Sequence, residues 1–412
     1  MAKIGLFSTL LIIGLVGAQF LPVVLGSNLV LGRGIVSLLT MVGLSFIMIH
    51  VGYEFELDKN QLRTYGWDYV VAMTTAGFPW VLAALYFIFV MFPPEAWSSW
   101  QAWKEVLLAS RFAAPTATGV LFSMLIAVGL SHTWMFRKTR ILVIFDDLDT
   151  VLLMIPLKIM MVGLAWQLGI VVFVMFVMLW IAWRWLHRLP IPTSWPWVLA
   201  YSCVIVAVSE IIYWSTKALD HDVPIHLEVL LPAFVLGCIM KHPGVSDSRQ
   251  EATKGKHGRN SESDVEATVA TVVSALFMVL VGLSMPSIFG ETGMSAKEDI
   301  LSARQPSLTF GGLVLHVLIL TLIINLGKLF PAFCYRREAH WRQRLAVAVG
   351  MMPRGEVGAG IILLSLSYGI GGPMVSVAVL SLALNLVLTP VFVYVVNYLI
   401  RSAPAPTEPA SS

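Results

Sequence analysis

Charge is what this sequence has least of. Only 12% of its 412 residues are Asp, Glu, Lys or Arg, about half the share usual in soluble proteins. With 58% hydrophobic residues it has too little polar side chain to cover a soluble globule of this size, so a polytopic membrane protein is expected. The net charge of +3 is small, and no nucleic-acid partner or cofactor is expected. Cysteine is also scarce. Cys203, Cys238 and Cys334 lie far apart inside apolar runs without a CxxC, which excludes a disulfide framework and leaves three small buried hydrophobes. No convincing cleavage site follows "MAK", and the apolar stretch there is longer than a signal core, so the start reads as a retained first span.

Apolar stretches of about 20 residues occur at roughly 4–25, 33–54, 67–92, 104–130, 138–163, 167–186, 195–217, 225–240, 266–288, 308–333, 343–368 and 372–400. They predict an all-α protein of about twelve spans. Lysine and arginine collect in alternate connections: Lys59 and Arg63, then Arg137, Lys138 and Arg140, then Arg184 and Arg188, then 241–264, then "RREAHWRQR". The positive-inside rule makes those connections and both termini cytoplasmic, with the bilayer of the cell's inner membrane as surroundings. The polar run "KHPGVSDSRQEATKGKHGRNSESD" (241–264) reads as a solvated cytoplasmic loop, and the tail 402–412 as disordered. Nothing on either side is large enough for a soluble domain, so 1–412 reads as a single membrane domain.

Against that background the run "ILVIFDDLDTVLLMIPLKIM" in the fifth span stands out. Asp146, Asp147 and Asp149 fall inside a leucine- and isoleucine-rich helix. Ionisable groups at membrane depth cost several kcal/mol and mark ion paths and proton relays. Helical neighbours point about 100° apart, so Asp146 and Asp147 cannot face the same partner. Lys328 lies eight residues before Arg336 and Asp146 eight residues after Lys138. Both therefore sit about 12 Å below the cytoplasmic edge, which predicts a pair, either a structural salt bridge or part of an ion site. Asp147 is left to another surface. A buried carboxylate avoids its desolvation cost by protonating or by binding a small cation through oxygen, and alternation between those two states is the minimum chemistry of exchange.

Two spans carry breaks. "SRFAAPTATGVLFSML" places Pro115, Thr116, Thr118 and Gly119 near the middle of the fourth, and "GMMPRGEVGAGIILL" places Pro353, Arg354, Gly355 and Glu356 in the eleventh. Proline removes a backbone donor and frees carbonyls, and such breaks are tolerated where they line a cavity. Spans four and eleven of twelve are placed as inverted repeats would place them. Arg354 and Glu356 read as structural charges that neutralise each other or other buried charges. Arg111 is a candidate partner for a nearby acid, and Lys158 and Glu210 read as snorkelling residues near the far ends of their spans. Glu54 reads as an interfacial charge, and His50, His226 and His316 as satisfied helix histidines.

These residues resemble the monovalent cation–proton antiporter superfamily, in particular the bacterial sodium–proton antiporters with an Asp-Asp pair. The likeness rests on "DD" in the fifth span, the threonine-bearing break in the fourth, "PRGE" in the eleventh and Lys328 in the tenth, with "FIMIHVGYEFELDKNQLRTYG" resembling the exit from an early helix. It implies crossed, broken helices in a core (roughly 67–163 and 308–400), with the other helices forming a dimerisation scaffold against which the core moves like an elevator. It further implies Asp147 as the principal carboxylate for cation and proton, Asp146 as partner of Lys328, and Thr118 at the crossing, where its hydroxyl joins Asp147 in holding Na⁺. The Asp-Asp form resembles the electrogenic members, and a homodimer is implied. The sequence departs from the family in Asp149, an extra acid, in the absence of an acid from "APTATG", and in its count of spans.

The function expected is exchange of Na⁺, with Li⁺ as a further substrate, for protons; it is not an enzyme. A potassium–proton antiporter and a sodium-coupled symporter of an organic solute are the alternatives, and Lys328 opposite two acids suits proton exchange better than a roomy organic site. An intramembrane aspartyl protease needs its two aspartates on separate helices, whereas here they are adjacent.

Overall fold

The computed structural model describes residues 2–53, 62–162, 166–186, 188–219, 229–241, 259–284, 309–368 and 370–403. Regular structure among them is helical, apart from an isolated bridge between Leu189 and Met240. Among the described residues, six helices are long and apolar enough to cross a membrane: Leu29–Tyr53, Tyr65–Met91, Trp100–Ala127, Trp195–Ala218, Phe310–Phe333 and Pro373–Arg401. Exposed apolar side chains such as Phe173, Trp180, Ile211 and Trp214 need a lipid rather than an aqueous surround. The protein is an all-helical, multi-span membrane protein.

The chain forms two compact units. The first contains Met1–Leu29, Lys59–Met161 and Val281–Ser412, and the second Val30–Asp58 and Val162–Leu280. In chain order the helices are α1 (Ala2–Leu25), α2 (Leu29–Tyr53), α3 (Leu62–Tyr86), α4 (Trp100–Ser110), α5 (Thr118–Ala127), α6 (Trp134–Val162), α7 (Trp166–Arg184) and α8 (Trp195–Leu219). They continue as α9 (Leu230–Ile239), α10 (Arg259–Leu283), α11 (Phe310–Gly327), α12 (Phe330–Phe333), α13 (Trp341–Gly350), α14 (Glu356–Ser367) and α15 (Pro373–Arg401).

In the second unit α9 packs on α7 and α8. It also crosses α2 backbone to backbone: a Cβ on Gly237 would lie 2.2 Å from the Ile49 carbonyl oxygen, and one on Gly52 2.2 Å from that of Phe234. Only glycine permits this approach.

The first unit holds the polar centre. Its longest helices, α6 and α15, have 29 residues each. Helix α6 begins where the Thr133 hydroxyl accepts the Phe136 N–H at 3.2 Å, a side-chain cap for an otherwise orphaned donor. It then runs unbroken past its three aspartates. Helices α4 and α5 are two halves of one span, separated by a 3₁₀ turn (Arg111–Ala113) and a non-helical stretch around Pro115. Helices α13 and α14 are likewise halves, separated at 351–355 around Pro353.

One expectation differs from the structure. The loop at 241–264 is shorter than its polarity suggests, because α10 is already helical from Arg259; apolar periodicity marks only the lipid-buried part of a helix. Residues 242–258 and the tail from 404 lie outside the described residues, as do Glu54 and His226. Helix α1 packs against α5 and α15 inside the first unit.

Candidate ion-binding site

The two breaks meet. The Ala117 N–H, which an unbroken helix would hold internally, donates to the Pro353 carbonyl at 2.8 Å. Gly355 makes the approach possible, since a Cβ there would stand 3.2 Å from the Ala117 methyl. Arg354 occupies carbonyls left by the two breaks and by the last turn of α11. Its guanidinium donates to the oxygens of Ala113 (2.7 Å), Ile324 (2.9 Å) and Met352 (3.0 Å) and to the side-chain oxygens of Asn325 (2.7 Å) and Asn385 (3.4 Å). Among the described positions Arg354 is thus held by neutral oxygens. Glu356 opens α14, and its side chain lies outside the described positions.

Helix α6 presents its aspartates to this crossing on different sides. Asp146 is fully buried, and its Oδ2 accepts from the Thr116 backbone N–H (3.0 Å), the Thr116 hydroxyl (2.7 Å) and the Lys328 ammonium (3.2 Å). The Lys328 and Asp146 side chains are both 0% exposed, so this is an ion pair removed from water. Its Coulomb gain offsets desolvation only because further hydrogen bonds complete it. Thr116 completes it from both sides. Its Oγ1 accepts from Lys328 Nζ at 3.2 Å, and its single hydroxyl hydrogen faces both Asp146 and the Met351 carbonyl, at 3.2 Å.

Asp147, next in sequence, is half-buried, and its Oδ2 accepts from the Thr118 hydroxyl at 3.0 Å. Thr118 is the first residue of α5, and its Oγ1 also lies 3.3 Å from the Thr116 carbonyl. A carboxylate, a hydroxyl and a carbonyl oxygen therefore come together at the start of a half-helix. This is the hard-oxygen donor set that suits a small cation. Among the described residues there is no cluster of three or more His, Cys, Asp or Glu side chains fit for a resident metal. A cation held here would be cargo.

Asp149 is buried one turn beyond Asp146, where its Oδ1 accepts the Tyr69 hydroxyl at 2.9 Å. Arg111, a candidate partner for a nearby acid, donates to the Asp149 backbone carbonyl at 3.0 Å and lies 4.9 Å from the Trp80 ring centroid. Three fully buried cations, Arg111, Lys328 and Arg354, thus accompany the three aspartates of α6 in the first unit. His50 contacts the Phe46 carbonyl at 2.9 Å and His316 the Tyr86 hydroxyl at 2.7 Å, each within its own local contacts.

Sequence reasoning missed Thr116 as the third member of the Asp146–Lys328 pair, and Asn325 and Asn385 as oxygens for Arg354. The signal for the asparagines was present: each is an amide inside an apolar span, and Asn325 lies one turn before Lys328.

The family profile described as "Sodium/hydrogen exchanger, transmembrane" matches residues 1–396. No curated protein matches the sequence. Among solved structures, that of the sodium proton antiporter MjNhaP1 from Methanocaldococcus jannaschii at pH 8 aligns with a TM-score of 0.57 at 15% identity. The alignment covers 96% of this chain and 92% of that one, a likeness of fold.

Proposed function

The chain belongs to the sodium/hydrogen exchanger family, and from that premise we propose that it exchanges Na⁺ for protons through alternate occupation of the Asp147 carboxylate. One observation carries the reading: the two adjacent aspartates are engaged differently. Asp146 is fixed by Lys328 and Thr116 inside the protein, whereas half-buried Asp147 meets a neutral hydroxyl. In the cation-loaded state Asp147 Oδ2 and Thr118 Oγ1 supply oxygens to Na⁺. In the proton-loaded state the same carboxyl is neutral and keeps the Thr118 contact. One carboxylate cannot hold both, so release of one accompanies binding of the other.

The meeting of the two broken spans and the family resemblance support alternating access of an elevator type, with the helices around the crossing moving as the carrier. They also support a homodimer in the inner membrane with both termini cytoplasmic. Lys328 opposite an Asp-Asp pair favours electrogenic exchange. The test is reconstitution into liposomes with a lumenal pH dye under imposed gradients of Na⁺, Li⁺ and K⁺. The reading expects lumenal pH to follow Na⁺ and Li⁺. A response to K⁺ alone would make it a potassium–proton exchanger, and proton movement that follows none of the three would overturn exchange.

A further inference from the structure

A second buried charge cluster lies apart from the ion site. Asp68, near the start of α3, is 0% exposed. Its carboxylate accepts from Lys138 Nζ at both oxygens (3.0 and 3.2 Å) and from the Tyr335 hydroxyl at 2.7 Å. Lys138 also meets Glu338 at 3.0 Å, whose side chain is 38% exposed, and its ammonium stands 4.5 Å from the Tyr335 ring centroid. Tyr335 packs edge-on against Trp134, the first residue of α6, with centroids 6.0 Å apart. Burial and the Asp68 charge push the Tyr335 phenol well above its usual range, so its hydroxyl remains a donor at any physiological pH. Tyr335 also has φ +56°, the only positive φ of a non-glycine among the described residues. A bulky residue in the left-handed region persists only where its surroundings hold it there, and such outliers point to function.

The elements joined here are those that carry the ion site. Lys138 is eight residues before Asp146 on unbroken α6, about 12 Å along the axis. Tyr335 and Glu338 lie in the connection from the Lys328 region to α13, which leads to Met351, Pro353 and Arg354. Asp68 adjoins Tyr69, the partner of Asp149. Asp147 and Thr118 come from different helices, and a ligand pair of that kind works only when placed within about 0.5 Å. An unbroken helix pinned at one end transmits that placement to its middle.

We infer that Asp68, Lys138 and Tyr335 form a positioning clamp that sets cation affinity at Asp147 by seating α6, in depth and in rotation, against the segments bearing Lys328 and the Pro353 break. The clamp touches neither cation nor proton and acts through α6. It rests on the reading that Asp147 holds the cation. Releasing it leaves the Asp147 and Thr118 oxygens in the protein but out of register, so half-saturation rises while transport at saturating cation changes less.

The test is Na⁺-driven proton movement in proteoliposomes for wild type, Lys138→Met, Tyr335→Phe and Lys138→Arg, with thermal stability measured on the same preparations. Lys138→Met and Tyr335→Phe are expected to raise the Na⁺ half-saturation about two- to thirty-fold, the range over which remote substitutions alter a binding equilibrium. Lys138→Arg, which keeps the charge and can reach both carboxylates, is expected to stay within about two-fold of wild type. Tyr335→Phe removes one oxygen only and decides the matter if Lys138→Met does not fold. Unchanged half-saturation in folded variants, or an equal fall in affinity and maximal rate that Lys138→Arg also shows, would overturn the clamp. Wild-type vesicles without cation-dependent proton movement would overturn the exchange reading itself, and the clamp with it.

Discussion

Asp146 and Asp147 are chemically identical and adjacent, yet their surroundings differ in kind. Asp146 is closed off: an ammonium, a hydroxyl and a backbone N–H converge on one oxygen of a carboxylate with no exposure. Asp147 is half-open and meets a hydroxyl that can donate to a carboxylate or offer its lone pairs to a cation. The 100° between successive helical residues produces this division from two letters of sequence. On the proposed reading, the first surrounding stabilises a fixed charge, and the second accommodates a charge that changes. A carrier needs both, because a site free to lose its cation must not lose its shape.

The largest way to break the comparison is to remove the variable charge. Asp147→Asn is expected to reduce proteoliposome exchange to the empty-vesicle background while the protein still inserts and elutes as wild type. Near-normal exchange in that variant would move the central role to another group.

Removing the fixed charge's partner should act first on stability. Lys328→Ala leaves Asp146 buried beside Thr116 alone, and breaking one side of a buried pair costs roughly 3–5 kcal/mol. Thermal unfolding in detergent is expected to shift down accordingly. The variant's exchange is also expected to lose sensitivity to a valinomycin-set potential, where one elementary charge per 100 mV is worth about 2.3 kcal/mol. Wild-type stability and voltage response in the variant would remove Lys328 from the proposed pairing.

Thr118→Val sharpens the Asp147 side. It keeps the shape and deletes one neutral oxygen, so the Na⁺ half-saturation is expected to rise about tenfold, or 1.4 kcal/mol, with maximal rate less affected. A half-saturation that stays at the wild-type value across several pH values would contradict a ligand role. The smallest effect belongs to Tyr69→Phe. It removes one hydrogen bond to Asp149 and is expected to cost about 1 kcal/mol of stability, read by thermal unfolding, with exchange near wild type. Loss of exchange comparable to that of Asp147→Asn would bring Asp149 into the transport chemistry.

Much of this arrangement is legible in the sequence because a charge or a proline inside an apolar span is costly and persists only where it is used. Asp146, Asp147, Lys328, Pro115 and Pro353 announce themselves in that way, and equal depth alone brings Lys328 and Asp146 level. What resists reading is the irregular backbone between half-helices. Thr116 and Thr118 are two residues apart, yet the first serves Asp146 and the second Asp147, because 114–117 is non-helical and no helical period applies. Arg354 beside Glu356 suggests a charge pair, whereas the carbonyls that hold the guanidinium, from the two breaks and from the last turn of α11, follow no pattern in the sequence. The start of α10 at Arg259 is hidden for a different reason, since hydrogen bonding continues past the point where apolar residues stop.

The central claim is that cation and proton compete for Asp147 while Asp146 keeps its charge. Calorimetric titration of the purified protein with Na⁺, in buffers of different ionisation enthalpy, measures how many protons leave as each cation binds. The account predicts proton release on Na⁺ binding by wild type, and neither binding nor release by Asp147→Asn. Na⁺ binding to wild type without proton release, or proton release undiminished in Asp147→Asn, would contradict it.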